Sequence, residues 1–164
     1  MLLRDILRIG ELRDLIVSKV KEVIGEDLVG IIVYGSTLYL GVGRDLDLIV
    51  IIREELNLRN RFNLEIALRK SLETLIKDSV ADVHILSISE FRDNLRLGSP
   101  LSGLALGYEI LYGGSVLEPL ILNFLKELAR DKYVLHNEYG TWNLSHYARI
   151  TYNLKVRKLK QVKG

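Results

Sequence analysis

Two short apolar runs rich in β-branched residues, LVGIIVY at 28–34 and LDLIVIIR at 46–53, stand close together with no helix-length pattern between them. Side chains of this kind suit a pleated, buried surface, and runs this short match strands better than helices. Both runs are apolar almost throughout, so each reads as a buried strand. The first run ends at Gly35 and the second opens on Asp45-Leu46-Asp47. The chain is therefore constrained to a buried sheet whose polar residues gather where one strand stops and the next begins.

The flanking sequence supplies the cover. Residues 2–24 place Leu12, Leu15, Ile16, Val20, Val23 and Ile24 at helical spacing, and Gly25 is a stop. Residues 59–77 do the same with Leu64, Leu68, Leu72, Leu75 and Ile76. VADVHIL, at 80–86, reads as a third strand, followed by a short helix that Ser89 would cap and that runs to Leu97. Beyond Gly98-Ser99-Pro100 the pattern predicts a helix over 101–107, an extended piece at 109–112, the turn Gly113-Gly114 and a helix over 115–130. That last helix carries Val116, Leu117, Leu120, Ile121, Phe124, Leu125 and Leu128 in one stripe, the mark of a core-facing helix. After Asp131 the periodicity gives no clear element. The order predicts an α+β fold, a small mixed sheet with helices packed on it. The organisation expected is a core at 1–98 and a mostly helical extension at 99–164, packed on that core.

Several function classes are excluded or disfavoured by composition. The chain has no cysteine, so thiolate metal sites, disulfides and cysteine nucleophiles are out. His84, His136 and His146 are scattered, with no helical zinc pair; any metal would be held by oxygen, hence a hard cation such as magnesium. No apolar stretch is long enough for a membrane helix, and the mixed charges of MLLRDILRIGELRD make a poor signal peptide. A cytoplasmic location is expected. Net charge is +2, but Lys155, Arg157, Lys158, Lys160 and Lys163 put +5 on the last 14 residues and leave −3 on residues 1–150. Attraction to a polyanion is thus local to the tail. Tyr139, Trp142, Tyr147 and Tyr152 near that tail could stack bases or simply pack a helical extension. One methionine and no cysteine are compatible with a thermophile source, archaeal or otherwise.

The segment with chemistry in it is VYGSTLYLGVGRDLDLIVI, 33–51. A buried strand running into Gly35-Ser36 offers close backbone approach, a hydroxyl and outward N–H groups, which together suit phosphate oxygens. Read alone, Gly-Ser is an ordinary turn. Asp45 and Asp47 alternate on a strand and so point to one side, where two carboxylates repel unless a cation neutralises them. The plain alternative is a solvated strand start, or pairing of one Asp with Arg44. Asp82 lies inside VADVHIL, with Val80 and His84 on its face and Ala81, Val83 and Ile85 on the other. An edge strand with a wet face explains it equally, unless this strand lies beside the one bearing Asp45 and Asp47. His84 is read as structural.

Taken as a set, Gly35-Ser36, Asp45-Leu46-Asp47 and Asp82 resemble the motifs of the DNA polymerase β-type nucleotidyltransferase superfamily, in particular its minimal archaeal and bacterial members. The likeness spans roughly residues 10–112, and SPLSGLALGYEILYG is similar to the segment that follows the third acid in that family. The interval from Ser36 to Asp45 is shorter than the family pattern, Leu40-Gly41 stands where Arg-Gly is common, and Arg44 precedes the first Asp in place of a serine. The resemblance implies a palm-like fold and transfer of a nucleoside monophosphate, AMP from ATP foremost, to a protein, RNA or small-molecule hydroxyl. It implies Gly35 and Ser36 on the triphosphate, two magnesium ions on Asp45, Asp47 and Asp82, and Asp82 as proton acceptor; Arg44, a departure from the pattern, could reach a phosphate or neutralise the acids. It also implies a small helical partner of the toxin–antitoxin kind. Two alternatives remain open, a catalytically silent module that binds a partner protein and an RNA-binding protein that uses the basic tail.

Overall fold

The computed structural model describes residues 9–35, 38, 45–76, 79–138 and 140–163. The sequence expectations for residues 2–8, Ser36, Arg44 and Tyr139 fall outside them. The fold is α+β, as expected. Helix α1 (Ile9–Ile24) leads through a 3-10 turn to strand β1 (Leu28–Tyr34) and then to β2 (Asp45–Ile52). Helix α2 (Leu58–Glu73), strand β3 (Val80–Ser87) and helix α3 (Ile88–Asn94) follow. A 3-10 helix (Pro100–Leu106), strand β4 (Tyr108–Tyr112), helix α4 (Gly114–Leu128), strands β5 (Val134–Asn137) and β6 (Gly140–Asn143) and helix α5 (Leu144–Val162) complete the chain.

Four strands form one mixed sheet in the order β3-β2-β1-β4. Strand β1 is antiparallel to both β2 and β4, whereas β2 and β3 run parallel, joined by the α2 crossover. Period-two alternation then sorts the side chains onto two faces. On one face Ile31, Val33, Leu46, Leu48, Val50, Ala81, Val83 and Ile85 pack with Ile16 and Val20 of α1 and Leu68 and Leu72 of α2. On the other, Ile32, Ile49 and Ile51 pack with Phe91 of α3, Leu104 of the 3-10 helix, Leu117, Ile121 and Phe124 of α4, and Ala148 of α5. Residues 108–112 are therefore part of the sheet itself, and α4 and α5 share a core with β1 and β2.

Two expectations need correction. The helix after β3 is capped by Ser87, not Ser89: Ser87 Oγ accepts from Glu90 N at 3.1 Å, and Glu90 Oε2 accepts from Ser87 N at 2.8 Å. This reciprocal pair, a capping box, starts the helix earlier than expected. The helix expected at 101–107 is a 3-10 helix, opened by Pro100 and ended at Gly107 (φ +140°). The structure also adds what the sequence left blank, a β5–β6 hairpin with Val134 opposite Asn143. Among the described residues no helix is long and apolar enough to cross a membrane.

Glu90 is also paired with Arg61 of α2, so the cap ties α3 to the crossover helix. Ser87→Ala removes the acceptor for a helix N-terminus at a buried position and is expected to cost about 1 kcal/mol of stability, read as a lower urea midpoint. Ser89→Ala, at the position first expected to cap, leaves the midpoint in place.

Candidate active site

The site is built where β1, β2 and β3 present their ends on the second face of the sheet. In β2, Asp45 and Asp47 share the side of Ile49 and Ile51; in β3, Asp82 and His84 lie opposite in parity to Ala81, Val83 and Ile85. All four therefore point to one face. Register does the rest, pairing Tyr34 with Asp47 across β1–β2 and Asp47 with Asp82 across β2–β3, with Asp45 beside Val80. Neighbouring strands are about 4.8 Å apart, so the Asp47 and Asp82 carboxylates are held close by backbone alone.

Gly35 follows directly on β1 with φ +86°, and a Cβ built there would collide with the Asp47 carboxylate. Glycine is needed on both counts. Leu38 N donates to Gly35 O at 3.2 Å, so the chain turns at once. The sequence expectation of a turn right after a buried strand is met at Gly35. Ser36 and Arg44 lie outside the described residues.

Electrostatics mark Asp47 as the strained acid. Burial raises its pKa above the ordinary carboxylate value, and the charges of Asp82 and Asp45 raise it further, with His84 opposing them. The Tyr34 phenol is pushed up to about 12, first by burial and then by Asp47 and Asp82. Asp82 is differently placed. Its Oδ1 accepts from Arg69 Nη2 at 3.0 Å, and its Oδ2 lies 3.3 Å from His84 Nε2. Arg69 meets Asp82 through this nitrogen, and its buried Nε has no partner among the described residues. The pair is therefore not the bidentate fork that gives arginine–carboxylate contacts their strength.

Sequence reasoning missed Arg69 and set His84 aside. Arg69 stands one helical turn after Glu65 on α2, and both reach β3: Glu65 Oε1 accepts from Ile85 N at 3.0 Å. The i, i+4 spacing was visible, but not the strand it would meet. Also missed was a cleft of about 240 Å³ beside the acids, walled by Tyr34, Ile49, His84, Leu86, Asn94 and the 3-10 residues Leu101 and Leu104.

Whether a divalent cation fits turns on the donor set. Asp45 and Asp47 supply adjacent carboxylate oxygens, hard ligands of the kind magnesium takes, and Asp47 carries repulsion that a cation would relieve. Among the described residues, no group of three acidic or imidazole side chains is gathered as a ready cage. Asp82 faces Arg69 and His84 instead. The chemistry of Asp45 and Asp47 fits a hard cation, and Asp82 adjoins that pair.

No family model and no curated relative matches the sequence. Several solved structures are similar in shape. One is a complex of a tri-AMPylated HEPN toxin from Shewanella oneidensis with MNT antitoxin, at 18% identity and TM-score 0.48, covering 74% of this chain and 87% of the other. A second is the toxin–antitoxin pair MntA-HepT, at 18% identity and TM-score 0.46, covering 73% and 87%. A third is a toxin–antitoxin with AMP-PNP, at 18% identity and TM-score 0.47, covering 71% and 87%. These likenesses assign no residue of this chain.

The raised pKa of Asp47 has a signed consequence for stability. A carboxyl whose folded pKa lies above its unfolded value favours folding at low pH and loses that contribution as pH rises through the folded pKa. Asp47→Asn, which carries no charge, is expected to be more stable than the wild type at pH 7. Its advantage shrinks as pH falls through the raised pKa and is gone below the ordinary value of 3.8. Urea unfolding of both proteins across this range checks it.

Proposed function

We propose that this chain is a nucleotidyltransferase, moving a nucleoside monophosphate from a nucleoside triphosphate, ATP foremost, to a hydroxyl of a protein, RNA or small-molecule acceptor. The observation that carries the reading is the in-register pairing of Asp47 with Asp82 beside the Gly35 turn. An acid pressed by two negative neighbours, next to a turn that admits no side chain, suits a polyphosphate with its counter-cation better than it suits a purely structural sheet end.

In this reading the Gly35 turn and Ser36 bind the β- and γ-phosphates, and Arg44 reaches a phosphate oxygen. Asp45 and Asp47, with Asp82 alongside, would hold two magnesium ions, which when bound supply charge for the transferring phosphoryl group and the leaving pyrophosphate. The acceptor oxygen bonds to the α-phosphorus as the bond to pyrophosphate breaks, and the acceptor proton passes to an oxygen of Asp82. Arg69 donates to the other oxygen of Asp82 and so orients the carboxylate that receives the proton. The largely apolar cleft beside Tyr34 and His84 offers room for a bound group next to the acids. A partner protein, such as a small helical toxin-like chain, is the acceptor class favoured here. A cytoplasmic setting suits such a substrate.

A thermal melt with and without Mg-ATP tests the site. The wild type is expected to rise by several degrees at saturating ligand, and Asp47→Asn to show no rise. No shift in either protein would move the reading to a silent partner-binding module. Asp82→Asn separates the roles: Mg-ATP binding is expected to persist within about tenfold, while label transfer from α-labelled ATP falls by 100-fold or more. Equal loss of binding and transfer would make Asp82 a structural acid.

A further inference from the structure

Helix α5 does more than cover the sheet. Leu144, Ala148 and Thr151 are buried, and Thr151 Oγ1 donates to Ala105 O at 2.7 Å, which fixes the rotation of the helix. The flank of the helix next to this contact is not polar. Tyr147, Ile150 and Leu154 are 38%, 43% and 55% exposed. With Lys158 they are spaced by three and four residues and so lie in one stripe, which Arg157 flanks one turn after Leu154. The stripe forms one wall of a groove of about 410 Å³ that Leu106, Tyr108, Glu109 and Lys155 also line and that reaches Leu38, three residues past Gly35. Glu109 sits on the side of Lys155, away from Arg157 at the basic end. On its wall Lys155 is anchored, its ammonium 4.2 Å from the centre of the Tyr108 ring, whose hydroxyl donates to Glu118.

The stripe is graded, apolar over its first two turns and cationic at its far end. That grading limits what can cover it. A second copy laid parallel on α5 would bring Lys155, Arg157, Lys158, Lys160 and Lys163 of both chains together. Laid antiparallel, it would set the cationic end of each copy against the apolar turns of the other, with no anion for either. A nucleic acid would satisfy the cations but leave Ile150 and Leu154 against a hydrated backbone, with Tyr147 the one ring of the stripe to stack on. A helix with an apolar face and acidic residues satisfies both halves at once.

We propose that this face of α5 is the docking surface for an amphipathic acidic helix of a partner protein, its apolar side chains on Tyr147, Ile150 and Leu154 and its carboxylates beside Arg157 and Lys158. Where that partner is also the acceptor, the assignment rests on the transfer proposed above; the docking itself uses none of the acids. Because the groove reaches the Gly35 turn, a helix seated there lies next to the site.

The test is fluorescence anisotropy with two labelled synthetic amphipathic helices that share an apolar face and differ only in carrying Glu or Lys beside it, and with a labelled uridine oligomer. The Glu helix is expected to bind at least roughly tenfold tighter than the Lys helix. Ile150→Glu with Leu154→Glu is expected to abolish that binding without moving the thermal midpoint. Arg157→Glu with Lys158→Glu, both at exposed positions, is expected to invert the preference even if the first pair disturbs folding. Equal binding of the two helices, a preference unmoved by the charge swap, or an oligomer that outcompetes the Glu helix would each overturn the proposal. So would self-association in sedimentation that Leu154→Glu abolishes. Asp47→Asn is expected to bind the Glu helix as the wild type does, so a failed transfer assay and a failed docking assay remain distinct results.

Discussion

The parallel pairing of β2 with β3 brings together everything of chemical interest in this protein. Because Leu48 sits beside Val83 and Val50 beside Ile85, one face of both strands is committed to the core against α1 and α2. The same register obliges Asp47 to sit beside Asp82 on the opposite face. A slip of one residue would turn the apolar set outward, so the hydrophobic side of the sheet enforces the acidic juxtaposition on the other. The repulsion between the acids is tolerated because the burial beneath them fixes the register.

A second consequence follows for the division of labour among the acids. Asp47 is half-buried and pressed by two negative neighbours, whereas Asp82 has a guanidinium on one oxygen and an imidazole near the other. Three acids equivalent in sequence are thus unlike in surroundings. Asp47 is pressed by its acidic neighbours, Asp82 is oriented, and Asp45 stands exposed at the open end of the strand. Arg69 meets Asp82 through one nitrogen, with its Nε buried without a partner among the described residues, and its hold on Asp82 is modest.

Much of this was legible in the sequence, for identifiable reasons. The strands announce themselves because β-branched runs of the right length have few other uses, and Asp45, Asp47 and Asp82 break those runs where an apolar residue would be expected. The parity of 80–86 correctly separated Asp82 and His84 from Ala81, Val83 and Ile85. What escaped depends on contacts between segments remote in sequence. Arg69 and Glu65 look like ordinary charges on a helix until α2 is laid against the edge of β3. The 3-10 helix at Pro100–Leu106 has helical composition, and its tighter winding is set by Pro100, Gly107 and packing on α5. The hairpin at 134–143 is short, mostly exposed and polar, and so carries no alternation to read. Ser87 is a separate case: its partner Glu90 stands only three residues on, a capping-box spacing present in the sequence and passed over for Ser89.

Glu65 has one further effect. Strand β3 is the sheet's outer strand on its side, and such a strand would ordinarily offer its free backbone to any passing chain. By accepting the Ile85 amide, the Glu65 carboxylate occupies a position that a foreign strand's carbonyl would have to take. Arg69, one turn further along α2, leans over the same rim. One outward amide of the edge is thereby taken, and a strand added along this rim would have to displace the Glu65 carboxylate first.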